Sequence, residues 1–136
     1  MAIVLDASVA VAWAFEDENS AYTNRVLDML VTSSAQVPSI WPLEVANALL
    51  SAERRQRIGT AETARFIALL SGLPVDVVGI AREHTMGVVL DLARTHGLTV
   101  YDACYLFLAM REGLPLATQD GRLRSAASRV AVPCVE

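Results

Sequence analysis

The chain is expected to be an α/β protein, a parallel sheet with helices on both faces. Two observations carry this reading. Short apolar runs alternate with one or more helical stretches, and no hairpin signal joins any two runs. Composition agrees, since 54% of the 136 residues are hydrophobic and 19% charged, a balance that builds a core and excludes disorder. One domain, residues 1–136, is expected at this length.

The elements follow in order. Ile3-Val4-Leu5 is a strand buried on both faces, stopped by Asp6. A helix runs from Ser8 to Phe15 and is closed by Glu16-Asp17-Glu18. Asn19 or Ser20 caps the next, about Ala21 to Thr32, with Val26, Leu27, Leu30 and Val31 on one face. Gln36-Val37-Pro38 is a short second strand. Pro42, near a first helical position where its missing N–H costs nothing, opens a helix to about Arg57, stopped at Gly59. Thr60 caps a helix that ends near Ser71-Gly72, and Pro74 to Val78 is a third strand. Arg82 to Thr95 is amphipathic and ends on His96-Gly97, a good C-cap pair. Thr99 begins another helix, about Tyr101 to Arg111, ended by Gly113. Leu114 to Thr118 is a strand, Asp120-Gly121 a turn, Arg122 to Ser128 a helix and Val130 to Val132 a fifth strand.

Composition excludes several chemistries. All eleven basic residues are arginine, so Schiff bases, the Walker lysine and Ser-Lys dyads are absent. Cys104 and Cys134 have neither a CxxC spacing nor a disulfide framework, and Cys104 reads as a buried, reduced thiol. The amino terminus lacks a basic n-region, and no apolar run approaches the roughly 20 residues of a membrane span. A cytoplasmic protein without a membrane partner is expected. The net charge of −4 disfavours a large nucleic-acid surface, although a bound cation would change the local balance.

Four carboxylates stand at strand ends or helix starts: Asp6, Glu44, Asp102 and Asp120. Each has a structural reading. Asp6 is a good N-cap, as is Ser8. Glu44 complements a helix dipole, Asp102 completes the capping box opened by Thr99, and Asp120 precedes a glycine in a turn. Other features favour chemistry. Asn47 and Ser51 follow Glu44 at i+3 and i+7, a narrow polar stripe between apolar rows. The helix after Asp102 is apolar all round and therefore buried, so its carboxylate needs a partner or a metal. Asp6 and Asp120 are symmetric, each past a buried strand with a hydroxyl nearby, Ser8 and Thr118. Strand ends and helix starts of one parallel sheet share an edge, so the four converge, and hard Mg²⁺ or Mn²⁺ would relieve their repulsion. Such ions position a water and stabilise the leaving oxygen in phosphodiester hydrolysis.

Other polar residues are less informative. His84 and His96 lack metal spacing. Arg54, Arg55 and Arg57 are either a solvated helix end or a phosphate-contacting patch. Trp13, Phe15, Tyr22 and Trp41 read as core or interface.

Four segments carry a family likeness: Leu5-Asp6-Ala7-Ser8, Pro42 to Leu49, Tyr101-Asp102-Ala103-Cys104-Tyr105-Leu106 with Ala109, and Leu116-Ala117-Thr118-Gln119-Asp120. With these the chain resembles a PIN-domain protein, and within that superfamily a VapC-type toxin of a bacterial toxin–antitoxin pair. The resemblance implies a three-layer α/β/α sandwich with a five-stranded parallel sheet. It implies a Mg²⁺- or Mn²⁺-dependent endoribonuclease acting on structured RNA such as tRNA or rRNA. Asp6, Glu44, Asp102 and Asp120 become the metal-binding and catalytic carboxylates, with Ser8, Asn47 and Thr118 in support. A homodimer and a small VapB-like antitoxin are implied as well.

Rival readings are fewer. A phosphoacceptor receiver needs an essential lysine, which is missing. A haloacid-dehalogenase-like phosphatase needs Asp-x-Asp, and Ser8 stands at the third position. A catalytically inactive PIN-like binding or regulatory module is the alternative of a different class.

Overall fold

The computed structural model describes residues 1–136. The first strand, β1 (Ala2–Leu5), occupies the middle of a parallel sheet, and Ile3, Val4 and Leu5 are wholly buried. That is the environment an uninterrupted apolar run requires. β2 (Ser34–Pro38) pairs with one side of β1, starting at Ala2↔Ser34. β3 (Val75–Val78) pairs with β2, and β4 (Leu116–Ala117) pairs with the other side of β1, so the order is β3-β2-β1-β4.

This order places the helices. From β1 to β3 the chain steps one way across the sheet, and right-handed crossovers put the intervening helices on one face. These are α1 (Ala7–Ala12), α2 (Ala21–Met29), α3 (Ile40–Arg54) and α4 (Thr60–Ser71). The chain then crosses to the far side of β1, so the later helices cover the opposite face. They are α5 (Arg82–His84), α6 (Leu90–His96), α7 (Val100–Glu112) and α8 (Gly121–Arg129). Packing follows this division: α1 contacts α2 and α3, and α7 contacts α6, α8 and three strands. The direction of winding reverses between β1 and β4. A crevice opens outside the strand ends at such a seam, where open α/β sheets bind ligands.

Capping chemistry fixes many element ends as expected. Gly97 and Gly113 close α6 and α7 in the left-handed region, both at φ 66°. Thr99 Oγ1 accepts the Asp102 N–H at 3.0 Å to open α7. No helix is long and apolar enough to cross a membrane.

The sheet has four strands, not the five expected. Val130 to Val132 are consumed in ending α8. The Val132 N–H reaches back to the Ala127 carbonyl at 2.8 Å, with Ala131 at φ 58°, and this six-residue closure bends the chain away from β4. Only a single bridge, Leu116 with Cys134, remains of the fifth strand.

Three helices differ from expectation. The stretch from Trp13 to Phe15 is a tail of i→i−3 turns rather than part of α1. The helix expected over Arg82 to Thr95 is divided by a π turn, Thr85–Val89, with Gly87 at its centre. α3 stops at Arg54, because Gln56 takes φ 58° and the Arg57 N–H closes onto the Ala52 carbonyl at 2.9 Å.

Candidate active site

Asp6 follows β1 directly and is nearly enclosed, with 6% exposed. Its Oδ2 accepts two hydroxyl bonds, from Ser8 Oγ at 2.9 Å and from Thr118 Oγ1 at 2.7 Å. Thr118 itself lies one residue past β4 and is wholly buried. Its hydroxyl also accepts the Asp120 N–H at 3.1 Å, and its own N–H donates to the Tyr22 hydroxyl at 3.1 Å. One threonine thus ties together the two strand ends at the reversal of winding. Arg124 on α8 steadies the same loop, donating to the Thr118 carbonyl at 2.8 Å.

Glu44 comes from the other direction. α3 starts at Ile40, so Glu44 falls in its second turn and outside reach of an N-terminal cap. Its Oε1 accepts the hydroxyl of Tyr105, which stands on α7 across the top of the sheet, at 2.7 Å. Asp102, in the first turn of α7, makes no return bond to the Thr99 backbone N–H, so the capping box is half formed, and the Thr99 hydroxyl is the protein donor nearest its carboxylate. Asp120 caps α8, its Oδ1 accepting the Leu123 N–H at 2.9 Å. A hollow of about 240 Å³ lies beside this edge, lined by Ala7, Ser8, Val11, Glu18, Glu44 and Ala48.

The carboxylates feel one another. Burial raises the Glu44 pKa; the Tyr105 bond opposes this, and the charges of Asp6 and Asp102 add to the rise. Burial likewise raises Asp102, reinforced by Asp6 and Asp120 and opposed by Thr99. Tyr105 is held far above its ordinary range by burial first, then by its bond to Glu44 and the nearby negative charges. It is therefore a permanent donor. The Cys104 thiol is also pushed up, by burial and by Glu44, which suits an inert core thiol.

Residues 3–129 match the PIN domain family. Ribonuclease VapC3 of Pyrobaculum aerophilum is 30% identical over 127 residues, 90% of this chain and 92% of its own. The chain belongs to the PIN-domain family and is of the VapC type. Among solved structures, PAE2754 from Pyrobaculum aerophilum superposes with a TM-score of 0.68 at 29% identity, over 93% of this chain and 87% of that one. VapBC2 from Rickettsia felis, solved bound to a DNA fragment from their promoter, shares the fold, with a TM-score of 0.66 at 15% identity over 100% and 98% of the two chains.

The PIN fold brings Asp6, Ser8, Thr118 and Asp120 into one hydrogen-bonded group and sets Glu44 and Asp102 within electrostatic range of it. The carboxylates do not close into a shell, since no three acidic, histidine or cysteine side chains are near enough to hold one ion directly. The donor set nonetheless suits a hard cation. Glu44 and Asp120 each anchor one oxygen on the protein and leave the other without a partner. Mg²⁺ binds through one or two carboxylates and keeps several waters, so a closed protein cage is not required.

Four expected residues lie outside this group. Asn47 is exposed, makes no hydrogen bond and does not line the hollow. Arg57 is occupied internally: it pairs with Asp17 and Glu18, each at 3.0 Å, and lies 4.4 Å from the Phe15 ring centre. Arg54 and Arg55 are exposed and unpaired by carboxylates. Sequence reasoning missed Tyr105 and Arg124 as site residues. Tyr105 lies three residues after Asp102, on the same side of the helix, and a phenol in an otherwise apolar helix was the available signal.

Proposed function

We propose that this chain is a metal-dependent endoribonuclease toxin that hydrolyses RNA phosphodiester bonds and is silenced by a cognate VapB-like antitoxin. The observation that carries the reading is the convergence of Asp6, Glu44, Asp102 and Asp120 at the reversal of winding, with the proton affinities of Glu44 and Asp102 raised by burial and mutual repulsion. The name of the Pyrobaculum ribonuclease supports it. One or two of Glu44, Asp102 and Asp120 would hold Mg²⁺ or Mn²⁺ through free oxygens, with waters filling the other positions, and the remaining carboxylates, Asp6 among them, would complete the negative field. The ion would supply Lewis-acid polarisation of the scissile phosphate and neutralise charge on the leaving oxygen. Ser8 and Thr118 fix the Asp6 carboxylate and so set the geometry of the site. Structured RNA, tRNA or rRNA, is the substrate class, met in the cytoplasm, with Arg54 and Arg55 as candidate phosphate contacts.

The antitoxin reading rests on an apolar groove of about 360 Å³ between α3, α4 and β3, lined by Trp41, Val45, Leu49, Ile67 and Leu70 among others. α4 buries no residue of its own, which is what a helix awaiting an apolar partner segment presents. A homodimer accompanies this reading, and light scattering that finds a monomer at every concentration would refute it.

A binding module without catalysis is favoured by one observation, the internal hydrogen bonds of Asp6, Glu44 and Asp120. Cleavage of cellular RNA separates the two readings. The nuclease needs Mg²⁺ or Mn²⁺, stops in EDTA and disappears in Asp102→Asn. Cleavage that persists in the variant would refute the site, and absence of cleavage in the purified, antitoxin-free protein would favour the module.

A further inference from the structure

We infer that Tyr105 is a positioning residue for metal binding, acting only through Glu44; the inference rests on the metal-site reading above. Glu44 reaches the strand-end edge from α3, on one face of the sheet, whereas Tyr105 stands on α7, on the other. The Tyr105 side chain is wholly buried, and its hydroxyl donates to Glu44 Oε1 at 2.7 Å. No other side chain or backbone N–H donates to this carboxylate. Its second oxygen has no protein partner.

A glutamate side chain has three rotatable bonds, and ordering it costs rotamer freedom. Like-charged Asp6 and Asp102 would drive an untethered Glu44 outward to solvent. The phenol prevents this by pinning one oxygen of a carboxylate that lines the hollow, which leaves the other without a protein partner. Tyr105 is fixed in turn because its ring belongs to the main core. The rigid core therefore sets the position of a carboxylate that its own helix does not hold. A donor behind a ligating carboxylate is a recurrent device, and its removal weakens metal affinity by about 10–100-fold.

The test is Mn²⁺ affinity of the metal-free protein, read by electron paramagnetic resonance of free Mn²⁺, in wild type, Tyr105→Phe, Glu44→Ala and the double variant. Tyr105→Phe is expected to weaken Mn²⁺ about 10–100-fold, and to add nothing in the Glu44→Ala background. Glu44→Asp gives a second route that leaves the core untouched: a carboxylate shorter by one methylene cannot keep the 2.7 Å bond, and a comparable loss is expected with the charge retained. An unchanged Tyr105→Phe or Glu44→Asp would overturn the inference while leaving the metal site intact, provided Glu44→Ala still weakens binding. An equal loss from Tyr105→Phe in both backgrounds would reduce Tyr105 to a general packing role. Unaltered Mn²⁺ affinity in Glu44→Ala would overturn the assignment of Glu44 and this inference together.

Discussion

Thr118→Val tests the hub of the site without changing the shape of the core. Valine matches threonine in volume and removes only the hydroxyl. Two bonds go with it: the 2.7 Å donation to Asp6 Oδ2 and the 3.1 Å acceptance from the Asp120 N–H. The second loss is small, because Asp120 is exposed and water replaces the acceptor. The first is not, because Thr118 is wholly buried and Asp6 nearly so, and Ser8 is then the carboxylate's remaining hydroxyl donor. A hydrogen bond to a charged group contributes about 1.5–3 kcal/mol, so a destabilisation of this size is expected. With a denaturant slope of about 2 kcal/mol/M the urea midpoint should fall by roughly 1 M, at unchanged slope. Thr118→Ser is the counterpart, since it keeps the hydroxyl and loses a methyl, at about 0.5–1.5 kcal/mol. Urea denaturation followed by circular dichroism at neutral pH makes the comparison. A Thr118→Val protein as stable as wild type, or more stable than Thr118→Ser, would refute the view that this hydroxyl holds Asp6.

Further outcomes follow from charge. Glu44 and Asp102 have raised pKa values, so the folded state binds more protons than the unfolded one above the ordinary carboxylate range, about 3.9–4.3. Their contribution to stability is present below that range and lost as pH rises through the raised values; urea titrations from pH 4 to 7 should show a shallower decline in Glu44→Gln than in wild type, and equal slopes would count against the coupling. Asp102→Asn is expected to stabilise the metal-free protein at neutral pH by about 0.5–1 kcal/mol, the relief of repulsion outweighing a lost helix-dipole interaction, while RNA cleavage is abolished. Thermal unfolding and gel assays on one preparation read both, and a destabilised variant would contradict the electrostatic account. Arg57→Ala should cost about 1–2 kcal/mol, since its two ion pairs and its ring contact clamp the turn after α1. Arg54→Gln should leave stability unchanged and, if it contacts RNA, lower the salt dependence of RNA binding by about 0.7 in the log–log slope for a single strand.

Much of the site was legible because local chemistry demands it. A buried apolar run such as Ile3-Val4-Leu5 has few places to go except the middle of a sheet, and the polar residue that stops it must lie at the strand's end. Asp6 and Thr118 are therefore placed at one edge by patterning alone. Glycines after periodic stretches, Gly97 and Gly113, mark helix ends because left-handed backbone suits them. Gln56 and Ala131 adopt the same conformation without any such signature, and this is why α3 ends sooner than its pattern suggests and the expected fifth strand does not form.

The amino-acid sequence by itself determined the α/β class, the elements' order, the lack of lysine chemistry and the four carboxylates at strand ends and helix starts. Those properties depend on residue type and on neighbours within a few positions. Only the tertiary structure decided which groups restrain those carboxylates. Tyr105 meets Glu44 across 61 positions and Thr118 meets Asp6 across 112, contacts that no local period encodes. It likewise gave Arg57 surface ion-pair partners, Asp17 and Glu18, and a place over the Phe15 ring, beside the left-handed Gln56. The spacing of the carboxylates belongs to the same class: packing sets them within electrostatic range of one another without closing any three around one ion.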